Sequence, residues 1–247
     1  MKVPNLRKVL IPDPGYLICE SDLAQADAQV VAWEADDQAL MDFFIAARTD
    51  LSLDLHTTNA EALGLTGPAG RQLAKAGVHA TNYGASVPRL AKVLGITKTM
   101  AQLFVNKWFA AHPAIPRWHE RTQDSLNASR SVTNKFGYTR RYFERPDSLL
   151  PEALAWVPQS TVALVIDKGW ANIDRELYSH VEVLLQVHDS LVYQIKKRNY
   201  TQSLLEHLHQ CLHIEIPYDN LLTIPVGISI SEKSWGHCEE TTWKIAA

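Results

Sequence analysis

The spacing of apolar positions changes period several times along the chain, and each change predicts an element. Tyr16 to Ser21 follows Pro12, Pro14 and Gly15 and reads as a short buried strand ending at Asp22. From Ala24 to about Ala35 the period turns helical. A second helix is predicted over 38–47 with Asp36 or Asp37 as its N-cap, and a third over roughly 55–63. Thr66, Gly67 and Pro68 open a further helix that runs to Tyr83, where Gly84 is placed to stop it. Thr97 or Thr99 caps an amphipathic helix from Met100 to Ala111, closed by His112 and Pro113, and 116–128 is helical as well.

Residues 129–151 lose the helical period, take on β character and are dense in arginine. A long helix is predicted from Leu154 to about Leu177, with Pro158 in or near its first turn, where a missing N–H is tolerated. Two apolar runs, Val181 to Val187 and Leu191 to Ile195, are separated by His188, Asp189 and Ser190, the outline of a tight hairpin. A helix over 200–212 and a strand over 223–230 complete the set. The sum is an α+β fold: a small antiparallel sheet built from both ends of the chain, with a mainly helical, basic insertion between them.

The composition fits a globular chain. Of 247 residues, 46% are hydrophobic and 21% charged, which excludes disordered and low-complexity classes, and the length allows one to two domains. The net charge of -3 argues against a polyanionic partner until it is divided along the chain. Residues 55–145 carry 13 Lys+Arg against 4 Asp+Glu, a net of +9, and the remainder carries 11 against 23, a net of -12. Either one part meets a polyanion while another concentrates carboxylates, or charges cluster by chance on solvated helices. Three cysteines without a CxxC pair suit a reducing compartment. No apolar run approaches the roughly 18 residues of a membrane span, and the start lacks a signal-peptide apolar segment. A cytoplasmic protein with no membrane partner is therefore expected.

Candidate chemistry comes from position. Asp22 ends a buried strand and Asp189 sits at a hairpin tip, so the two project from one sheet edge if those strands are neighbours. Singly, each reads as a turn or cap residue. As a pair they offer hard oxygen ligands for two Mg²⁺ about 4 Å apart. Between them Arg71, Lys75, His79 and Tyr83 recur every four residues on one helix, each about 6 Å further along its axis. Two cations followed by two rings suit a triphosphate and then a sugar or base. The alternative is a solvated helix face with a chance Arg–Lys pair.

With these residues in hand, the chain resembles the palm and fingers of a family A DNA polymerase, the group of bacterial DNA polymerase I and many phage replicative enzymes. Ser21-Asp22-Leu23-Ala24-Gln25-Ala26-Asp27 resembles the family's first motif, usually Asp-Tyr-Ser-Gln-Ile-Glu. Arg71 through Lys75 to Tyr83-Gly84 resembles the second, and Val187-His188-Asp189 the third, usually Val-His-Asp-Glu. Weaker similarity covers Asp54-Leu55-His56, Gln159 and Ser234-Trp235.

The resemblance implies template-directed DNA synthesis from deoxynucleoside triphosphates (dNTPs) on a primer–template, with residues 1–54 as the first part of the palm, 55–145 as fingers and basic loop, and 146–247 as the second part of the palm. It implies that Asp22 and Asp189 hold two Mg²⁺, that Arg71, Lys75 and His56 grip the β and γ phosphates, and that Lys75 protonates the pyrophosphate. It places His79, Gln25 and Asp27 near the incoming sugar and Tyr83 at the templating position. Gln159 and His188 fall near the primer terminus. Arg140 and Arg141, on the loop after the fingers, are read from their own charge as backbone contacts.

Three departures matter. Asp27 stands for the family's glutamate, His79 for a Phe or Tyr, and Ser190 for the acid after the hairpin aspartate. The match also begins just before the first palm strand. This implies a part of a larger or split polymerase whose thumb, and any exonuclease, come from elsewhere, with a bacteriophage as the expected source. Two other classes stay open on the sequence: a catalytically degenerate nucleic-acid-binding module, and a single-subunit RNA polymerase relative. His207, His209, Cys211 and His213 crowd one segment, and His209 with His213 has the spacing of a helical metal pair. No second ligand cluster completes that pair, and the segment reads as a solvated helix.

Overall fold

The structure, a computed structural model, describes residues 5–50, 52–62 and 65–241. In chain order, β1 (Tyr16–Leu23) is followed by α1 (Ala26–Ala35), α2 (Gln38–Ala47), α3 (Leu55–Ala62), α4 (Gly67–Asn82), α5 (Val87–Leu94), α6 (Lys98–Ala111) and α7 (Ala114–Ser129). Then come β2 (Ser131–Thr133), β3 (Thr139–Arg141), α8 (Leu150–Leu177), β4 (Val181–Val187), β5 (Ser190–Lys196), α9 (Gln202–Leu212), β6 (Val226–Ser231) and β7 (Glu239–Glu240). The chain divides into two units, Met1–Ala26 with Val162–Ala247, and Asp27–Thr161.

The first unit holds a five-stranded antiparallel sheet in the order β4-β5-β1-β6-β7, so strands from both ends of the chain lie side by side. β5 is covered on both faces. Leu191, Val192, Tyr193 and Ile195 are fully buried, which is why its sequence is a near-continuous apolar run. Its buried Gln194 is satisfied by the carboxylates of Asp13 and Glu182, to which its amide donates at 2.9 Å each, and by the Asp13 N–H at 3.1 Å. On one face Ile18, Val192 and Trp235 pack together with Val187 and Cys238.

The second unit is mainly helical. Asp37 caps α2 by accepting from the Leu40 N–H at 3.0 Å, and Thr97 caps α6 by accepting from Met100 at 3.2 Å. Gly84, at φ +67, takes the left-handed conformation that stops α4. The β2–β3 hairpin is pinned by Val132 and Tyr142, which pack with Leu126, Leu149, Ala153 and Val157, while every residue of β3 is exposed. The α+β class expected from the period changes is the class observed.

Several boundaries differ from the sequence expectation for identifiable reasons. α5 was not among the expected elements, although Ser86, Pro88 in the first turn and the left-handed Gly95 frame it. α1 begins at Ala26 because Ala24 and Gln25 form a turn, with Gln25 at φ +49. α8 begins at Leu150, so Pro158 lies in its third turn rather than its first. Ser190 belongs to β5, leaving a two-residue turn. β6 starts after Pro225, which has no N–H for the ladder. Leu63, the expected end of the third helix, lies outside the described residues. Among those residues no helix is long and apolar enough to cross a membrane.

Candidate active site

Strand alternation sets Asp22. Its neighbours Ser21 and Leu23 are buried, whereas Asp22 is exposed and stands opposite Ser190 of β5 and Gly227 of β6. Asp189 is the second residue of the β4–β5 turn, half-buried, after His188 at φ +54. Its carbonyl accepts from the Leu23 N–H at 3.0 Å and so continues the β1–β5 ladder past the Asp22–Ser190 pair. The two aspartates are therefore one residue apart in register on neighbouring strands, with Cα atoms within roughly 7 Å by sheet geometry. Mg²⁺ is bound by one or two carboxylates and keeps several waters, and this solvent-reachable pair of hard oxygen donors fits it.

Position 190 does not supply an acid. The buried Ser190 hydroxyl shares its one proton between the Val187 carbonyl at 3.0 Å and Glu20 Oε1 at 3.3 Å. Glu20 lies two residues before Asp22 on β1, and its carboxylate also pairs with Arg7 at 3.4 Å. The sequence reading missed Glu20, whose only advance signal was the two-residue spacing that puts it on the Asp22 face.

In the helical unit, α4 carries the cation and ring stripe. Arg71 makes a two-pronged ion pair with Asp54, Nε to Oδ1 at 2.9 Å and Nη2 to Oδ2 at 2.7 Å. Asp54 also caps α3 by accepting from the Thr57 N–H at 2.7 Å. Burial alone would raise the Asp54 carboxyl, but the Arg71 fork and the Thr57 donors outweigh it and hold it at about 2. Lys75 is half-buried on the same stripe. The His79 ring lies 5.7 Å from that of His56 and 6.1 Å from that of Tyr83. The Tyr83 hydroxyl donates to Asp27 Oδ2 at 2.8 Å, and His79 Nδ1 is 4.0 Å from the same oxygen. Burial first, and Asp27 second, push the Tyr83 phenol far above its ordinary value.

His56 is buried to 1% exposure, yet neither ring nitrogen has a hydrogen-bond partner. Burial, then His79, with Lys75 and Arg71 adding to it, push its pKa down to about 4. The ring is neutral at ordinary pH and has both nitrogens available among cations. Because the unfolded chain binds more protons between pH 6.5 and about 4, the stability His56 contributes is complete above pH 6.5 and is lost as pH falls toward 4. The loss is at most on the order of 3 kcal/mol. Urea unfolding across this range should show that fall in the native chain and a flatter profile in His56→Gln.

The C-terminal end of α4 is fixed by a residue that no local pattern singles out. Asn82 accepts from Trp108 Nε1 at 2.8 Å through its side chain and meets His119 Nε2 at 2.8 Å through its carbonyl. The remaining expected residues are more scattered. Gln25 has a buried side-chain oxygen without a partner, and Gln159 on α8 and His188 at the turn are exposed. Arg140 and Arg141 are exposed on β3, with Arg140 paired to Glu152 and stacked over Tyr142 at 5.1 Å. The structure thus gathers Arg71, Lys75, His79, Tyr83, His56 and Asp27 within the helical unit, and Asp22, Asp189 and His188 at one end of the sheet.

Comparison with known proteins identifies a family over most of the chain. The profile of DNA polymerase family A matches residues 2–237. DNA polymerase I of Pseudomonas aeruginosa is 29% identical over 214 residues, 78% of this chain and 22% of that protein. DNA polymerase I of Deinococcus radiodurans is 31% identical over 202 residues, 76% of this chain and 20% of that protein. The chain therefore spans about a fifth of the length of these relatives. Their sources are bacteria, so the expectation of a bacteriophage origin gains nothing from them. Among solved structures, the POL domain of Pol1 from M. smegmatis, in complex with DNA primer-template and dNTP, shares the fold. Its TM-score is 0.78 at 20% identity, over 93% of this chain and 42% of that one. With the family profile spanning nearly all of its residues, the chain belongs to DNA polymerase family A.

Proposed function

We propose that the chain carries the palm and fingers chemistry of a template-directed DNA polymerase, transferring deoxynucleotides from dNTPs to a primer 3′-hydroxyl. The observation that carries this is the placement of Asp22 and Asp189 one residue apart in register across β1 and β5, in a chain of this family. Those carboxylates would hold two Mg²⁺; bound there, the ions would lower the pKa of the attacking hydroxyl and offset charge on the leaving phosphates. Lys75 and Arg71 would hold the β and γ phosphates, with His56 offering an uncommitted ring nitrogen and Lys75 a proton for the pyrophosphate. His79 and Asp27 would face the sugar and Tyr83 the templating position. Gln159, His188 and Gln25 would act near the primer terminus and the nucleotide, and Arg140 and Arg141 on the phosphate backbone. The Pol1 structure holds primer-template and dNTP, which supports both as partners. The chain matches 42% of the Pol1 chain, and a thumb, from the same or another polypeptide, would complete the grip on the primer–template.

Ser190 favours a second reading, a binding module that has lost catalysis. It predicts salt-dependent DNA binding without incorporation once the rest of a polymerase domain is present. Primer extension with competing ribo- and deoxynucleotides tests both readings and the RNA polymerase alternative. Asp27 is one methylene shorter than the family's glutamate and is held by Tyr83, so Asp27→Glu should raise preference for deoxynucleotides by about 10-fold or more. An unchanged ratio would remove Asp27 from the sugar site.

A further inference from the structure

The structure brings together three potential metal ligands that the sequence did not pair. His207 and Cys211 are four residues apart on α9, one turn, and so share a face. Near the end of α8, Glu176 turns one carboxylate oxygen, Oε2, toward both: His207 Nε2 lies at 2.9 Å and Cys211 Sγ at 3.9 Å. All three ligand atoms lie within 4.8 Å of one another. A tetrahedral ion with bonds of about 2.0–2.3 Å to N, O and S needs its ligand atoms roughly 3.3–3.7 Å apart, which the triad reaches by side-chain shifts of no more than about 1 Å. His209 and His213, the pair with the more obvious spacing, have ring centroids 6.3 Å apart, and no ligand from another element joins them among the described residues.

We propose that Glu176, His207 and Cys211 form a Zn²⁺ site that clamps α8 to α9. One thiolate, one imidazole and one carboxylate are a mixed donor set that suits zinc and does not suit Mg²⁺ or Ca²⁺, and three protein ligands leave a fourth position for solvent. Cys211 is buried beneath the pair, while Glu176 is exposed and His207 half-exposed, which gives the ion an entry path. The second shell is in place. Arg175 donates to the other Glu176 oxygen, Oε1, at 2.9 Å, leaving Oε2 for the ion. Asn172 donates to the Cys211 carbonyl at 3.0 Å, and the two helices already meet at Gly169, where an added Cβ would come within 2.7 Å of Leu212. Burial, and Glu176 beside it, push the Cys211 thiol up to about 11, so at neutral pH the ion must displace its proton. The sulfur–proton bond is exchanged for a sulfur–metal bond, and the proton leaves to solvent.

The test is titration of the chelator-treated full chain with Co²⁺, followed by displacement with Zn²⁺. One Co²⁺ per chain should give a thiolate-to-cobalt charge-transfer band in the near ultraviolet, with release of about one proton per ion at pH 8. Millimolar Mg²⁺ should leave the band unchanged. Cys211→Ser should abolish it, and His207→Ala, at a half-exposed position that tolerates truncation, should weaken Co²⁺ binding at least 10-fold. Zinc should raise the melting temperature of the native chain and of neither variant. Absence of the band in the native chain, its persistence in Cys211→Ser, or its persistence at native affinity in His207→Ala would overturn the site; persistence in Cys211→Ser would assign the thiolate to Cys19 or Cys238.

Discussion

Replacing Asp189 with asparagine is expected to lower single-turnover nucleotide incorporation by at least about 10³-fold, the several kcal/mol of charge stabilisation that bound metal ions supply. Primer–template affinity should stay within about threefold, because no cation that would meet DNA phosphate is removed. The fold should be unaffected. Asp189 contributes to the sheet through its carbonyl, which accepts from Leu23, and asparagine keeps both that bond and the tolerance of a turn position. Asp22→Asn should behave alike, and the double variant should lose little more than either single one, since the two carboxylates would act as a unit. Rapid-quench incorporation together with equilibrium DNA binding separates this result from simple loss of affinity.

Lys75→Ala carries the second large effect, a fall of about 10²–10³-fold in kcat, the cost of removing one preorganised charge aimed at a leaving group. Lys75→Arg separates charge from proton transfer. A guanidinium keeps the cation but cannot give up its proton near neutral pH, so nucleotide KM should recover while kcat stays depressed. Recovery of both would make Lys75 a positioning charge only. Arg71 differs because its fork is already held by Asp54, and a triphosphate has to compete for it. The carboxylate that restrains Arg71 also caps α3, which carries His56, so the two groups proposed to meet phosphate share one anchor.

Much of this was legible in local patterns. The hairpin bearing Asp189 could be placed because two apolar runs flank three polar residues, of which Ser190 joins the strand, and β5 could be read as buried because its run does not alternate. The bounds of α2 follow from a capping aspartate and an apolar face. α5 was readable in principle from Ser86, Pro88 and Gly95. What escaped is pairing between residues distant in sequence, which no local period encodes: Arg71 with Asp54, Ser190 with Glu20, Asn82 with Trp108 and His119, and Glu176 with His207 and Cys211. Charge shows the same limit. The basic segment allowed either contact with a polyanion or chance clustering, yet the unit spanning 27–161 carries 14 Lys+Arg against 13 Asp+Glu, and acids from outside the segment meet Arg71 and Arg140. The segment's +9 is therefore not a free field. Binding of DNA should depend on which cations phosphate can win from carboxylates, and so fall steeply with salt.

Single-nucleotide incorporation on four primer–templates that differ only at the templating base separates templated synthesis from binding alone. The chain, alone and combined with the rest of a family A polymerase domain, is given Mg²⁺ and all four dNTPs. Templated synthesis requires addition of the complementary deoxynucleotide on each template, abolished by Asp189→Asn. Tight DNA binding with no addition under either condition, or addition that ignores the template base, would contradict it.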